Sequence, residues 1–170
     1  MALIKSLNNY TPIISDTVYM AENATIIGDV AIGEQSSIWF HTVIRGDVNS
    51  IRIGKKVNIQ DGVIIHCTYQ KSSTFIGDNV SIGHNAIIHG CEIRNDVLIG
   101  MGAIIMDDVV IENNSIIAAG SVVIKGTRVK SGSVFAGTPA KLKSTLSQNE
   151  IKDMTKKIAN NYIMYSSWYN

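Results

Sequence analysis

Aliphatic residues recur along this chain every six positions, in a comb that neither a helix nor a simple strand produces. Stepping by six from Ile14 meets Met20, Ile26, Ile32, Ile38 and Ile44, and small or β-branched residues keep the same step at Val18, Ala24, Val30, Ser36, Thr42 and Val48. The register then jumps nine residues to Ile53, Ile59 and Ile65, and eleven to Ile76, Ile82 and Ile88. A step of five opens the last run, through Ile93, Ile99, Ile105, Ile111, Ile117, Val123 and Val129. Strand alternation has period two and an amphipathic helix 3.6. A period of six is that of one face of a parallel β-helix. Gly follows the inward aliphatic at Gly33, Gly54, Gly77, Gly83 and Gly100, where a turn or a close backbone approach favours it. Three faces close one triangular coil, so these nineteen hexads predict roughly six coils, each burying its neighbour's apolar edge.

The comb fades after Val129, and Gly137-Thr138-Pro139-Ala140 reads as a turn out of the coils. A second pattern follows. Ser147 with Glu150 three positions on is a capping box, and Ile151, Met154, Ile158, Tyr162 and Tyr165 fall on one helical stripe. The expected architecture is an all-β solenoid over residues 1–146, with an α-helix over 147–170 packed on its outside as part of the same domain.

Composition narrows the partners. The chain is 45% hydrophobic but only 6% aromatic, with fourteen Gly and two Pro, which suits a strand-rich core of Ile and Val with tight turns. A net charge of +1 and no basic run interleaved with aromatics argue against nucleic acid. Residues 1–14 carry one lysine and no continuous apolar stretch, so neither a membrane anchor nor a secretory leader is expected, and a cytoplasmic location is the default. Cys67 and Cys91 are too few for a disulfide framework and read as small, partly buried thiols.

Candidate chemistry sits on the histidines. His66 and His89 each follow an inward aliphatic, and the hexad count sets them on one face, one coil apart, in a column that includes Arg45. His84 falls on the preceding face, level with Asp61. Three imidazoles are a common shell for catalytic zinc, and one chain offers only two together. A metal site would therefore lie between chains, with His84 of one approaching His66 and His89 of the next. The same residues also suit separate surface histidines paired with nearby carboxylates. His41 falls in another register and reads as structural or as a surface group.

The run Trp39-Phe40-His41-Thr42-Val43-Ile44-Arg45-Gly46-Asp47, then Asn58-Ile59-Gln60-Asp61, His66, Gly83-His84 and His89-Gly90-Cys91 resembles the γ-class carbonic anhydrase family over nearly the whole chain. That resemblance implies a left-handed parallel β-helix forming a homotrimer, with zinc, or alternatively iron or cobalt, bound between subunits by His66, His84 and His89. It implies an inter-subunit ion pair between Arg45 and Asp61, with Asp47 joining the network. Asn58 and Gln60 would orient water and substrate, Tyr162 would reach toward the site from the C-terminal helix, and metal-bound hydroxide would convert carbon dioxide to bicarbonate. Active members of the family carry a glutamate beside the Asp47 position and an acidic loop after the first histidine ligand. Here Val48 and the carboxylate-free segment Cys67–Thr74 stand in those places. Two other classes remain open: a hexapeptide-repeat acyltransferase using a coenzyme A thioester, and a catalytically weak trimer in which the metal is structural.

Overall fold

The structure, a computed structural model, describes residues 1–169. Short strands wind into a left-handed parallel β-helix of three faces, closed at one end by a hairpin and flanked by helix α1 (Gln148–Ser166). The first face stacks Ile26, Ile44, Ile65, Ile88, Ile105 and Val123 in ladder register. The second stacks Ile32, Ile53, Ile76, Ile93, Ile111 and Val129. Met20, Ile38, Ile59, Ile82, Ile99, Ile117 and Phe135 make the third. Six-residue spacing produces this because two residues per side alternate out and in, and the remainder turn the corner.

Most of these aliphatics are completely buried. A buried Ile side chain contributes ~1.5–3 kcal/mol by leaving water, so the column supplies the dominant stabilising term in the fold. At the corners the chain enters the left-handed region, at His41, Asn79, Asn85, Asp96, Asp108 and Asn114 among others. Asn and Asp tolerate that region better than other side chains, which is why they recur there.

Three features differ from expectation. The stack is seven coils deep, not six: Ile4 and Ile14 head the first two faces, and on the third Ser133–Gly137 continues the stack beyond Ile117 with Phe135 in the inward place. The exit turn then reverses the chain into an antiparallel strand, Ala140–Thr145. The nine-residue jump from Ile44 to Ile53, which the hexad count left unassigned, is one strand, Val43–Ile53, that bends round the corner and joins two faces in a twelve-stranded sheet.

Helix α1 begins as expected, with Ser147 Oγ accepting from Glu150 N at 3.2 Å and Glu150 returning a bond to Ser147 N at 2.9 Å. Its buried line is Ile151, Thr155 and Ala159, with Met154, Ile158 and Tyr162 half-buried beside it. Thr155 escaped the hydrophobic count because it is polar. Its hydroxyl is satisfied inside the helix by donating to the Ile151 carbonyl at 3.0 Å, so it can be buried without loss.

Candidate metal centre

His66 and His89 are ladder partners on adjacent coils. His66 Nδ1 and His89 Nε2 face each other at 3.3 Å, and each ring has its other nitrogen on a carboxylate. His66 Nε2 lies 2.9 Å from Asp47 Oδ1, and His89 Nδ1 lies 3.1 Å from Asp107 Oδ1. His84 is built the same way on the preceding face, with Nδ1 2.8 Å from Asp61 Oδ2. All three imidazoles are thus oriented by an acidic partner and keep one nitrogen outside that pairing.

Arg45 turns back along its own strand to hydrogen-bond Asp47, so within the chain its partner is Asp47, while Asp61 pairs with His84. Burial works against ionisation of Asp47, but hydrogen bonds from Arg45 and His66 outweigh it and hold the carboxyl below its ordinary range. Asp107 follows the same logic: burial opposes its charge, and donors from Ser72, Thr68 and His89 overcome it.

Asn58 and Gln60 are buried on the face that carries Asp61. Gln60 Nε2 donates to Asn58 Oδ1 at 3.0 Å, and Asn58 Nδ2 donates to Ser81 Oγ at 2.7 Å. Tyr162 and Tyr165 both line a cavity of about 220 Å³ that also contains Trp39, Asp61 and His84. Tyr162 therefore lies on the His84 side, away from the His66–His89 pair within one chain, and burial followed by the charge of Asp61 raises its phenol above the ordinary value. Cys67 and Cys91 are buried beneath the histidine face, and burial raises both thiols, which keeps them protonated and poor ligands. His41 is exposed at a corner, held by Asn23.

Asp107 was missed from sequence. It lies two positions after the inward Ile105 and eighteen after His89, so extending the hexad count by one position would have set it beside the ring.

Whether a metal fits can be judged from this geometry. Two zinc–nitrogen bonds of about 2.0–2.1 Å meeting at a tetrahedral angle span about 3.4 Å, close to the 3.3 Å between the facing nitrogens. Carboxylates on the outer ring nitrogens fix tautomer and orientation, the arrangement found behind metal-bound histidines. Among the described residues of one chain, no group of three or more ligating side chains gathers at one place. The facing pair of imidazoles fits two of the ligands of a divalent metal.

Coils and paired imidazoles together define a hexapeptide-repeat β-helix protein, and the family model described as "Bacterial transferase hexapeptide (six repeats)" matches residues 90–125. A carbonic anhydrase of Geobacillus kaustophilus is 47% identical over 159 residues, covering 94% of this chain and 86% of that protein. Gamma carbonic anhydrase 2, mitochondrial, of Arabidopsis thaliana is 45% identical across 90% of this chain, and the chain spans only 56% of that relative's length. The chain belongs to the γ-class carbonic anhydrase family. A crystal structure of a hexapeptide transferase family protein from Anaplasma phagocytophilum superposes with a TM-score of 0.92 at 41% identity, covering 99% of this chain and 98% of that one. No helix among the described residues is long and apolar enough to cross a membrane.

Proposed function

We propose that this protein is a metal-dependent carbon dioxide hydratase whose site forms between subunits of a homotrimer, from His66 and His89 of one chain and His84 of its neighbour. The observation that carries this reading is the pair of imidazole nitrogens 3.3 Å apart, each ring braced from behind by a carboxylate. A divalent metal held there, zinc or alternatively iron or cobalt, would lower the pKa of bound water, to about 7 for zinc, and so would supply a nucleophile for carbon dioxide at neutral pH.

The chain's own residues do the rest. Asp47, Asp61 and Asp107 hold the three rings with one nitrogen outward. Gln60, whose amide nitrogen is committed to Asn58, offers its carbonyl as an acceptor that orients a hydroxyl proton. Ile64 and Ile87, each 38% exposed, stand two positions before the histidines on the same outward face. They supply an apolar wall that excludes water from a small uncharged substrate, and a surface that a second copy would cover. Arg45, which pairs with Asp47 within the chain, shares the outward column of His66 and is the proposed partner of a neighbouring chain's Asp61.

Proton export is the weak step in this chain. Val48 and the segment 67–74 offer no carboxylate, and Asp47 and Asp107 are already engaged with the histidines. Turnover is therefore expected to be slow and to rise with the concentration of an imidazole buffer that carries the proton instead.

The test joins metal content to stopped-flow carbon dioxide hydration on the same preparation, with His89→Ala as control. About one metal per chain and a rate above the control support the reading. Metal-replete protein no faster than the control at any buffer concentration would leave a structural metal. The coverage by a transferase-family structure favours one alternative, acyl transfer from a coenzyme A thioester. Calorimetric binding of acetyl-coenzyme A would favour it over hydration.

A further inference from the structure

Asp107 ties the loop of residues 67–73, which leaves the coils after His66, to the imidazole of His89. Its Oδ1 accepts hydrogen bonds from Ser72 Oγ at 2.6 Å, Thr68 Oγ1 at 3.0 Å and His89 Nδ1 at 3.1 Å. Thr68 and Ser72 bracket the loop's turn. The Lys71 and Ser72 amides donate to the Thr68 carbonyl, and Ser72 Oγ accepts from Thr68 N. Space at the junction is minimal. A Cβ on Gly90 would stand 2.0 Å from Asp107 Oδ1 and 2.1 Å from Ser72 Oγ, and φ there is +54°, so the convergence of loop, carboxylate and coil depends on glycine.

A carboxylate with a single donor can swing about its terminal torsion, which is broad in energy. Three donors from three directions fix the oxygen and with it the axis along which His89 donates. We propose that Asp107 is a positioning residue that couples closure of the 67–73 loop to metal binding at His89. The coupling is reciprocal: loop hydroxyls fix the carboxylate that fixes the ring, and a metal on the ring holds the carboxylate where the loop docks. This inference rests on the metal reading above and adds to it a loop that senses occupancy.

Lys71, exposed at the tip of the loop, provides the reporter, because trypsin cuts after it only when the turn opens. The experiment measures zinc affinity and the rate of cleavage after Lys71, with and without zinc, on the assembled full chain. Wild type is compared with Asp107→Ala, the loop double variant Thr68→Val/Ser72→Ala, and the adjacent control Asp108→Asn, which removes a charge but keeps a side chain suited to the left-handed backbone there. Asp108 pairs with Lys125 on the surface.

Loss of Asp107 is expected to weaken zinc binding by about 10–100-fold and to make cleavage both faster and indifferent to zinc. The loop double variant, which leaves the carboxylate on His89, should weaken zinc binding by a smaller factor while opening the loop, and Asp108→Asn should match wild type. Zinc affinity within about twofold of wild type in Asp107→Ala, a change smaller than second-shell losses, overturns the inference, as does wild-type cleavage that ignores zinc. If Asp107→Ala fails to fold, the loop double variant decides by the same readouts. Wild type that binds no zinc refutes the metal reading and this coupling together, whereas zinc held equally by wild type and Asp107→Ala refutes the coupling alone.

Discussion

Each inward aliphatic does the same work six or seven times over, so single substitutions have calculable costs. Ile88 is fully buried between Ile65 and Ile105 in its column. Ile88→Ala is expected to lower stability by about 2–5 kcal/mol, because rigid coils on both sides cannot close over the void; urea unfolding of wild type and variant at one protein concentration measures it. Charge at the histidine face has a different signature. Asp47 is held below its ordinary value of 3.8, so its native contribution is complete above that value and is lost as pH falls through the depressed one. The stability gap between wild type and Asp47→Asn should therefore be constant from neutral pH down to about 4 and vanish in stronger acid, as followed by urea midpoints across that range. These residue-level placements were largely legible in the sequence. A six-residue period is imposed by backbone geometry, so counting it brought His66 against His89 and His84 against Asp61 without any energy calculation. What escaped was the partner one position off the counted column, Asp107, along with the hydroxyls of Thr68 and Ser72 that arrive from a loop with no period to count.

Elements that break the period were the harder ones to read. The capping box stood out because Ser147 and Glu150 satisfy each other's backbone amides at a fixed spacing. Ser147→Ala should cost about 1 kcal/mol and appear first as faster amide exchange in the opening turn of helix α1, before any change in the coils. The line the helix buries was only half visible. Ile151 was found, but Thr155 and Ala159 look unremarkable by hydrophobicity and are buried because small side chains let the helix lie close to the strands. Similarly, the hairpin of Ser133–Gly137 and Ala140–Thr145 follows no hexad rule. Its second strand runs antiparallel and mostly exposed, which covers the last coil while leaving little apolar signal to read.

The proposed site asks for more than one chain, since His84 lies on a different face from His66 and His89. In a closed three-fold ring every interface is heterologous, with the histidine pair of one chain meeting the His84 of the next in a fixed direction. That directionality allows a decisive mixing experiment. Homotrimers of His84→Ala and of His89→Ala would each lack a ligand at every site. A trimer containing both chains must have one junction at which the His84→Ala chain supplies intact His66 and His89 and the His89→Ala chain supplies intact His84. Refolding an equal mixture is thus expected to restore about one quarter of the wild-type metal sites, the fraction that random three-fold assembly predicts. Measured metal content and hydration rate should recover in parallel. A site contained within one chain would give no recovery whatever the mixing ratio, because no chain in the mixture would carry all three imidazoles.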